Sequence, residues 1–228
     1  MEVLARPEAL PNCLLLRDSL LADANPRVVS TLLRTLLLDD TLAVLVVTTR
    51  YSTSHYSTML RRLNLSVSKI ATDGRFKVLN TNALCRLDEE ADRYLVELKT
   101  LMEAVIGDIT SLSGYSRRCA VLFDDVAMLL GTCRAHPLTA CRAIVGMSPE
   151  LVACRILVMH EDLEDFSSAL TALSHEAETV VTVSSLASGS SAEVEAQVEV
   201  LRRKVAGRGS GSFGEAEELG VVRGAVVR

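Results

Sequence analysis

The 228 residues of this chain are 49% hydrophobic and 4% aromatic, a composition that predicts a globular protein and excludes an intrinsically disordered one. The longest apolar runs have the length of a β-strand and fall far short of the roughly 20 residues that a membrane-spanning helix requires. The net charge of −5 argues against a protein that coats nucleic acid unaided, so any RNA contact is expected to be local or shared with a partner.

Short β-type runs bounded by polar or turn residues recur along the chain. They lie at residues 13–16, 43–48, 76–80, 119–123, 154–159 and 179–183. Between them, residues 26–38 and 87–109 carry apolar residues at helical spacing, and Pro26 suits the first turn of a helix. Strands that alternate with helices predict βαβ units, and therefore one doubly wound α/β domain with a mainly parallel sheet and helices on both faces.

The pattern changes after the sixth β-type run. Apolar and polar residues alternate over residues 194–200, which predicts an antiparallel strand at the edge of the sheet. Residues 207–214 have the composition of a flexible linker, and residues 221–228 either form a last short strand or stay loose. We therefore predict a single domain over residues 1–206 and a flexible Gly/Ser-rich tail over residues 207–228.

Six cysteines are scattered along the chain without the close C-x-x-C spacing of zinc or redox sites. They are Cys13, Cys85, Cys119, Cys133, Cys141 and Cys154. Several lie inside apolar runs, so we expect reduced thiols in the core. Residues 1–11 lack the basic start and long apolar stretch of a secretory signal, which predicts that the protein stays inside the cell.

The turn after the first predicted strand lacks the residues of a phosphate-binding loop. P-loop NTPases place a Gly-rich turn there, with a Lys and a Ser or Thr that complete the phosphate and magnesium contacts. Here residues 17–26 contain neither Gly nor Lys, and Asp18 and Asp23 would repel phosphate. A G-x-G-x-x-G dinucleotide turn is excluded for the same reason. We therefore expect no bound cofactor and assign no catalytic, cofactor-binding or metal-binding residue.

Two other segments have the form of functional motifs. Residues 119–123 followed by Asp124 and Asp125 have the form of a Walker B strand, but without a nucleotide pocket we interpret one of these carboxylates as a helix cap. Ser54 and His55 follow the second strand, where loops often bind ligands. Neighbours on a helix point about 100° apart, which disfavours a Ser–His catalytic pair, so we interpret this segment as a helix start capped by Thr53 or Ser54.

Two His-acid sequences remain, at residues 160–162 and 175–176. Either could imitate a metal site, but their spacing matches no strong zinc pattern. We interpret both as solvated loop charge.

Taken together, these landmarks resemble the family of the sixth subunit of the Elongator complex, whose RecA-like fold lacks the Walker A loop. The resemblance covers roughly residues 10–205. It rests on the order and spacing of Ser-His-Tyr-Ser at 54–57, Phe-Asp-Asp-Val at 123–126, Leu-Ser-His at 173–175 and Leu-Ala-Ser-Gly at 186–189. The weakly patterned C-terminus departs from the family.

The resemblance implies a RecA-like three-layer domain with antiparallel strands at the C-terminal edge of the sheet. It also implies a non-catalytic pseudo-ATPase subunit of a hetero-hexameric ring, formed with the fourth and fifth Elongator subunits. That ring binds tRNA and supports C5 modification of wobble uridines, in the cytoplasm or in the nucleus as well, without membrane contact. Arg61 with Arg62 and Arg117 with Arg118 are candidate RNA contacts, although such pairs are more often solvated.

Three alternatives stay open. The fifth Elongator subunit also lacks a P-loop, although the Ser-His-Tyr-Ser sequence favours the sixth. A pseudo-ATPase adaptor of recombination type would associate with RecA-like partners without preferring tRNA. An independent enzyme would use the crevice at the carboxyl ends of the strands, with His55 and Asp124 as acid–base groups.

Overall fold

Strand and helix alternate along most of the chain, as the apolar pattern predicts. The computed structural model describes residues 10–19, 25–84, 91–111, 117–132, 136–146, 151–186, 194–204 and 217–227. The strands are β1 (Cys13–Asp18), β2 (Leu42–Thr48), β3 (Phe76–Asn80), β4 (Arg118–Phe123), β5 (Val152–His160), β6 (Thr179–Ser185), β7 (Val194–Lys204) and β8 (Glu217–Val227). The helices are α1 (Asn25–Leu38), α2 (Thr53–Arg62), α3 (Val67–Thr72), α4 (Ala91–Ser111), α5 (Val126–Thr132), α6 (Pro137–Gly146) and α7 (Ser167–Glu176), with 3-10 turns at Thr81–Leu84 and Glu164–Phe166.

Across the described residues the strands form one sheet in the order β3-β2-β4-β5-β1-β6-β7-β8. Every pairing from β3 to β6 is parallel, whereas β7 pairs antiparallel with both β6 and β8. The six predicted β-type runs all lie within observed strands. Because β5 inserts between β1 and β4, residues far apart in sequence meet at the end of the sheet.

Helices cover both faces of the sheet. Leu14, Val44 and Val46 face the layer of α1, α2 and α3, and Leu15 and Leu45 face the layer of α4 to α7. Strands that bury both faces require apolar residues at every position, which is why β2 reads as a continuous run and not as an alternating pattern. Each fully buried Leu or Val side chain contributes about 1.5–3 kcal/mol through the hydrophobic effect.

The C-terminal edge differs from the prediction in one respect. Strand β7 is antiparallel as predicted, but it is not at the edge of the sheet, because β8 pairs along it. The open choice for residues 221–228 is settled in favour of a strand, which is eleven residues long and starts earlier, at Glu217. The domain boundary at residue 206 and the flexibility of the tail stay predictions, since residues 205–216 lie outside the described residues.

The predicted core thiols are confirmed where the structure describes them. Four cysteines are buried and form no disulfide bond, namely Cys13, Cys119, Cys141 and Cys154. Burial raises the pKa of Cys119 and of Cys154 to about 12, so both stay protonated and unreactive at neutral pH. Cys85 and Cys133 lie outside the described residues. None of the helices in the described ranges has the length and apolarity needed to cross a membrane.

Candidate functional site at the carboxyl edge of the sheet

The parallel strands bring five polar side chains to one edge of the sheet. Asp18 ends β1, Thr48 ends β2, Asp124 and Asp125 follow β4, and His160 ends β5. Asp18 and His160 are partners in the β1–β5 register, so their side chains meet although the residues are far apart in sequence. This is the edge at which open α/β sheets bind their ligands.

His160 lies between two carboxylates, and the three residues are called here the Asp18–His160–Asp125 cluster. Its Nδ1 is 2.7 Å from Asp18 Oδ1, and its Nε2 is 3.8 Å from Asp125 Oδ2. The side chains of Asp18, Asp125 and His160 are only 2%, 6% and 12% exposed. The hydrogen bond to Asp18 raises the pKa of His160, burial opposes that rise, and the charges of Asp125 and Asp162 add to it. The cluster is therefore a compact ion-pair network that holds β1, β5 and the end of β4 together.

The interpretation of His160 as solvated loop charge was wrong. His160 is the last residue of β5 and not a loop residue, so its side chain is held against the end of β1. Glu161 and Asp162 after it are exposed, as are His175 and Glu176 at the end of α7. The sequence carries no local signal for the His160 contact, because the contact depends on the order of the strands.

Asp125 has a second role, as the cap of α5. Its Oδ1 accepts a hydrogen bond of 2.9 Å from the backbone N–H of Met128, which satisfies one of the free donors of the first helical turn. The prediction that Asp124 or Asp125 caps this helix is thus confirmed for Asp125. One carboxylate group serves both the helix and His160.

Asp124 belongs to a different cluster, formed with Thr48 and Tyr56. Thr48 Oγ1 donates to Asp124 Oδ2 over 3.2 Å. The Thr49 hydroxyl is buried without a hydrogen-bond partner among the described residues, and the buried Tyr56 hydroxyl lies against Asp124. Burial raises the pKa of Asp124, and the charge of Asp125 adds to that rise, while Tyr56 and Thr48 oppose it. Burial also raises the pKa of Tyr56. This cluster is less completely hydrogen-bonded than its neighbour.

The loop between β2 and α2 carries a stack of rings. The rings of Tyr51 and His55 are 4.1 Å apart and nearly parallel, at 11°. The Arg50 guanidinium carbon lies 5.3 Å from the centre of the Tyr51 ring, and the Tyr56 ring meets His55 edge-on at 5.4 Å. No hydrogen bond links His55 to Asp124 among the described residues, so the acid–base pair considered for an enzyme is not assembled by direct contact.

The cap of α2 lies one residue before the predicted position. Ser52, in an extended conformation, accepts a hydrogen bond from the backbone N–H of His55 at 3.4 Å, whereas Thr53 and Ser54 were the predicted caps. With α2 starting at Thr53, Tyr51 and His55 lie four positions apart across the helix start. That spacing is the one signal from which the stack could have been predicted.

Comparisons with known proteins bear on the fold. No family model and no curated protein matches the chain. Among solved structures, uncharacterized protein PH0321 from Pyrococcus horikoshii, in complex with an unknown peptide, has a TM-score of 0.60 at 14% identity, covering 96% of this chain and 98% of that one. Flagellar accessory protein FlaH from Methanocaldococcus jannaschii has a TM-score of 0.62 at 12% identity, covering 97% and 92%. KaiC-like protein PH0186 from Pyrococcus horikoshii OT3 has a TM-score of 0.55 at 11% identity, covering 95% and 89%.

The fold is RecA-like. These neighbours cover 95–97% of the chain and so establish the predicted fold class. At 11–14% identity the likeness concerns the fold alone.

The edge of this RecA-like sheet beside β1 is acidic. Asp18, at the end of β1, is buried against His160, and the cluster carries two carboxylates for one imidazole. A phosphate group there would meet net negative charge, and the turn that follows contains no Lys. Asp23, which would add to this repulsion, lies outside the described residues. Across the described part of the chain, no group of three or more His, Cys, Asp or Glu side chains is arranged to hold a metal ion.

The two arginine pairs are in different settings. Arg61 and Arg62 are exposed in the last turn of α2. Arg117 donates to the backbone oxygen of Asp73 over 3.0 Å, and Arg118 begins β4 at the opposite, amino edge of the sheet. The first pair therefore shares its helix with the ring stack, while the second is remote from the carboxyl edge.

Proposed function

We propose that this protein is a non-catalytic RecA-like subunit of the Elongator complex. It would complete a hetero-hexameric ring with the fourth and fifth Elongator subunits, in the cytoplasm or in the nucleus as well. The ring would bind tRNA and support C5 modification of wobble uridines. The Elongator assignment is supported by the order of the sequence motifs from Ser54 to Gly189.

The observation that carries the non-catalytic part of this proposal is the Asp18–His160–Asp125 cluster. In P-loop proteins the turn after the first strand supplies backbone donors and a Lys to the phosphates. Here the same strand ends in a buried carboxylate whose partner is a His from β5. A nucleotide would have to break this ion-pair network and then meet its negative charge. The chain is thus suited to a structural role at a ring position.

Exposed apolar side chains support a role in an assembly. Val96 and Leu101 on α4 are 63% and 39% exposed, and Met128 on α5 is 55% exposed. Single exposed apolar residues are common, but the α4 pair lies on a long helix that covers one face of the sheet. Exposed apolar side chains on a helix that covers the sheet can be buried between subunits.

The test is co-expression with the fourth and fifth Elongator subunits, with the mass of the product measured by light scattering and tRNA binding measured on any ring. The matched control is the same co-expression without this chain. We expect a hetero-hexamer that binds tRNA only when this chain is present, and no binding of a fluorescent ATP analogue by the chain alone. A ring of the same mass and tRNA affinity formed without the chain would contradict the proposal.

The enzyme alternative has one observation in its favour, the raised pKa of Asp124 at the ligand-binding edge of the sheet. It predicts turnover by the purified chain alone. If Asp124→Asn abolished such a turnover while leaving ring mass and tRNA binding unchanged, the scaffold proposal would fail. A ring that prefers single-stranded DNA to tRNA would instead favour the adaptor of recombination type.

A further inference from the structure

The Arg50 guanidinium and the stacked rings of Tyr51 and His55 are called here the stacking surface, and hydrogen bonds anchor the loop that carries them. Thr48 Oγ1 accepts hydrogen bonds from the backbone N–H groups of Arg50 and Tyr51 at 3.1 and 3.0 Å. Asn80 Nδ2 donates to the backbone oxygen of Tyr51 at 3.1 Å, which ties the loop to the end of β3. Arg50 and His55 are nevertheless exposed, and Tyr51 is partly exposed. Because these bonds already anchor the loop backbone, stacking another flat group on the exposed side chains requires less ordering of the chain.

The chain segment that carries the stacking surface is basic, although the chain as a whole carries a net charge of −5, and the partly buried carboxylate of Asp124, which also acts electrostatically on His55, is held by Thr48. Residues 41–72, which include β2, α2 and α3, contain no Asp or Glu. Their charged side chains are Arg50, Arg61, Arg62 and Lys69, and all four are exposed. The positive end of the α2 helix dipole also lies at this loop. A ligand with both flat rings and negative charge fits this combination.

We propose that the stacking surface binds unpaired nucleotides, with a base stacked on the His55 ring and its phosphates near the basic side chains of α2. Unpaired bases expose the faces that aromatic rings and guanidinium groups contact, whereas paired bases hide them within the helix. An acidic peptide would satisfy the charges but offers no ring to the stack. The inference rests on the proposed function for its biological ligand, tRNA, and it names the surface that would contact unpaired nucleotides of that RNA.

The direct test is fluorescence anisotropy with the full chain and a short, labelled, mixed-sequence single-stranded RNA. We expect His55→Ala to weaken binding about tenfold, because base stacking on an aromatic ring is lost. His55→Tyr, which keeps a flat ring, should bind as the unaltered chain does. The matched control is His175→Ala, which removes an exposed imidazole from the end of α7, far along the chain from the stacking surface, and should leave binding unchanged.

Two further probes separate stacking from charge. The duplex of the same sequence and poly-glutamate carry negative charge without exposed base faces, so His55→Ala should change their binding less than twofold. Replacing Arg61 and Arg62 together by Gln should weaken the binding of single-stranded RNA, of the duplex and of poly-glutamate. It should also reduce the salt dependence of RNA binding. Equal loss of duplex, poly-glutamate and single-stranded RNA on His55→Ala would overturn the proposal, as would no loss of any.

The same variants placed in the ring distinguish this inference from the proposed function. If no ring forms with the Elongator subunits but His55→Ala weakens single-stranded RNA binding by the chain, the proposed function fails and the stacking surface stands. If the ring forms and binds tRNA equally well with His55→Ala, the stacking surface is wrong and the proposed function stands. If His55→Ala lowers the mass of the ring, the surface is a subunit interface and the inference is overturned.

Discussion

The carboxyl edge of the sheet has two halves that the fold uses differently, an inner half at β1 and β5 and an outer half at β2 and α2. At β1 and β5, the polar side chains pair with one another: His160 contacts both Asp18 and Asp125, and Asp125 also caps α5. At β2 and α2, the hydroxyl of Thr49 is buried without a hydrogen-bond partner among the described residues, and the His55 ring is exposed. A half whose polar atoms are hydrogen-bonded to one another contributes stability. A half with unpaired or exposed polar groups is available to a ligand or a neighbouring subunit.

Two neighbouring residues divide the halves. The Asp125 side chain contacts His160 and caps the first turn of α5, whereas the Asp124 side chain contacts Thr48 and Tyr56. The Asp125 carboxylate is thus stabilised by its partners, whereas the Asp124 carboxylate is mainly desolvated. Substitutions in the two halves should therefore differ in the size of their effect, and in one case in its sign.

The largest difference is expected between His160→Ala and His55→Ala. The first leaves the Asp18 carboxylate buried without its partner and should lower the free energy of unfolding by about 3 kcal/mol. The second removes an exposed ring and should change it by less than about 0.5 kcal/mol. Urea denaturation followed by circular dichroism measures both. Adding Asp18→Asn to His160→Ala should recover part of the loss, and similar losses for the two single variants would erase the distinction between the halves.

A smaller difference is expected between the two helix caps. Asp125→Ala removes a cap hydrogen bond of 2.9 Å together with the second carboxylate of His160, and should cost about 2 kcal/mol. Ser52→Ala removes a longer cap bond, of 3.4 Å, and should cost about 0.5 kcal/mol. Midpoints of thermal unfolding give the order. A larger loss for Ser52→Ala would show that the outer half carries more stability than its contacts indicate.

The parts of this molecule that follow from local pattern were predictable. Strands buried on both faces appear as continuous apolar runs, so β2 and β4 were located within a residue of their ends. The expectation that the turn after the first strand binds no phosphate is equally local, because it depends only on which residues follow that strand, and it stays a prediction. The misplaced cap of α2 shows the limit, since Ser52, Thr53 and Ser54 are all residue types that cap helices, and only the backbone conformation selects one.

The candidate site was less predictable, because its contacts depend on strand order. Asp18 and His160 are 142 residues apart, and they meet only because β5 lies beside β1 in the sheet. Nothing in the sequence around either residue distinguishes this arrangement from one in which His160 is solvated. The prediction that β7 is an edge strand was wrong for the same reason, because strand order is not visible in the local pattern. Alternating apolar residues identify a strand, but they do not show whether another strand, here β8, pairs with its free side.

The pH dependence of stability should follow the inner half. The folded chain binds a proton at His160 more tightly than the unfolded chain does, because the pKa of His160 is raised mainly by Asp18. Its stabilisation is therefore complete below the unfolded value of about 6.5 and is lost as pH rises through the folded pKa. Urea midpoints should therefore fall as pH rises above about 6.5. His160→Gln should flatten this profile, and His175→Ala should not.

The smallest effect, and the one of opposite sign, is expected for Asp124→Asn. Burial raises the pKa of Asp124, so the folded chain holds this proton more tightly, and stability is lost as pH rises from about 3.9 through the folded pKa. The amide keeps an acceptor for Thr48 without a buried charge, and should raise the free energy of unfolding at pH 7 by about 0.5 kcal/mol. Asp125→Asn should lower it, because its charge faces His160. Since these variants are adjacent and chemically identical, urea denaturation that gives them the same sign would mean that the two halves share one electrostatic environment.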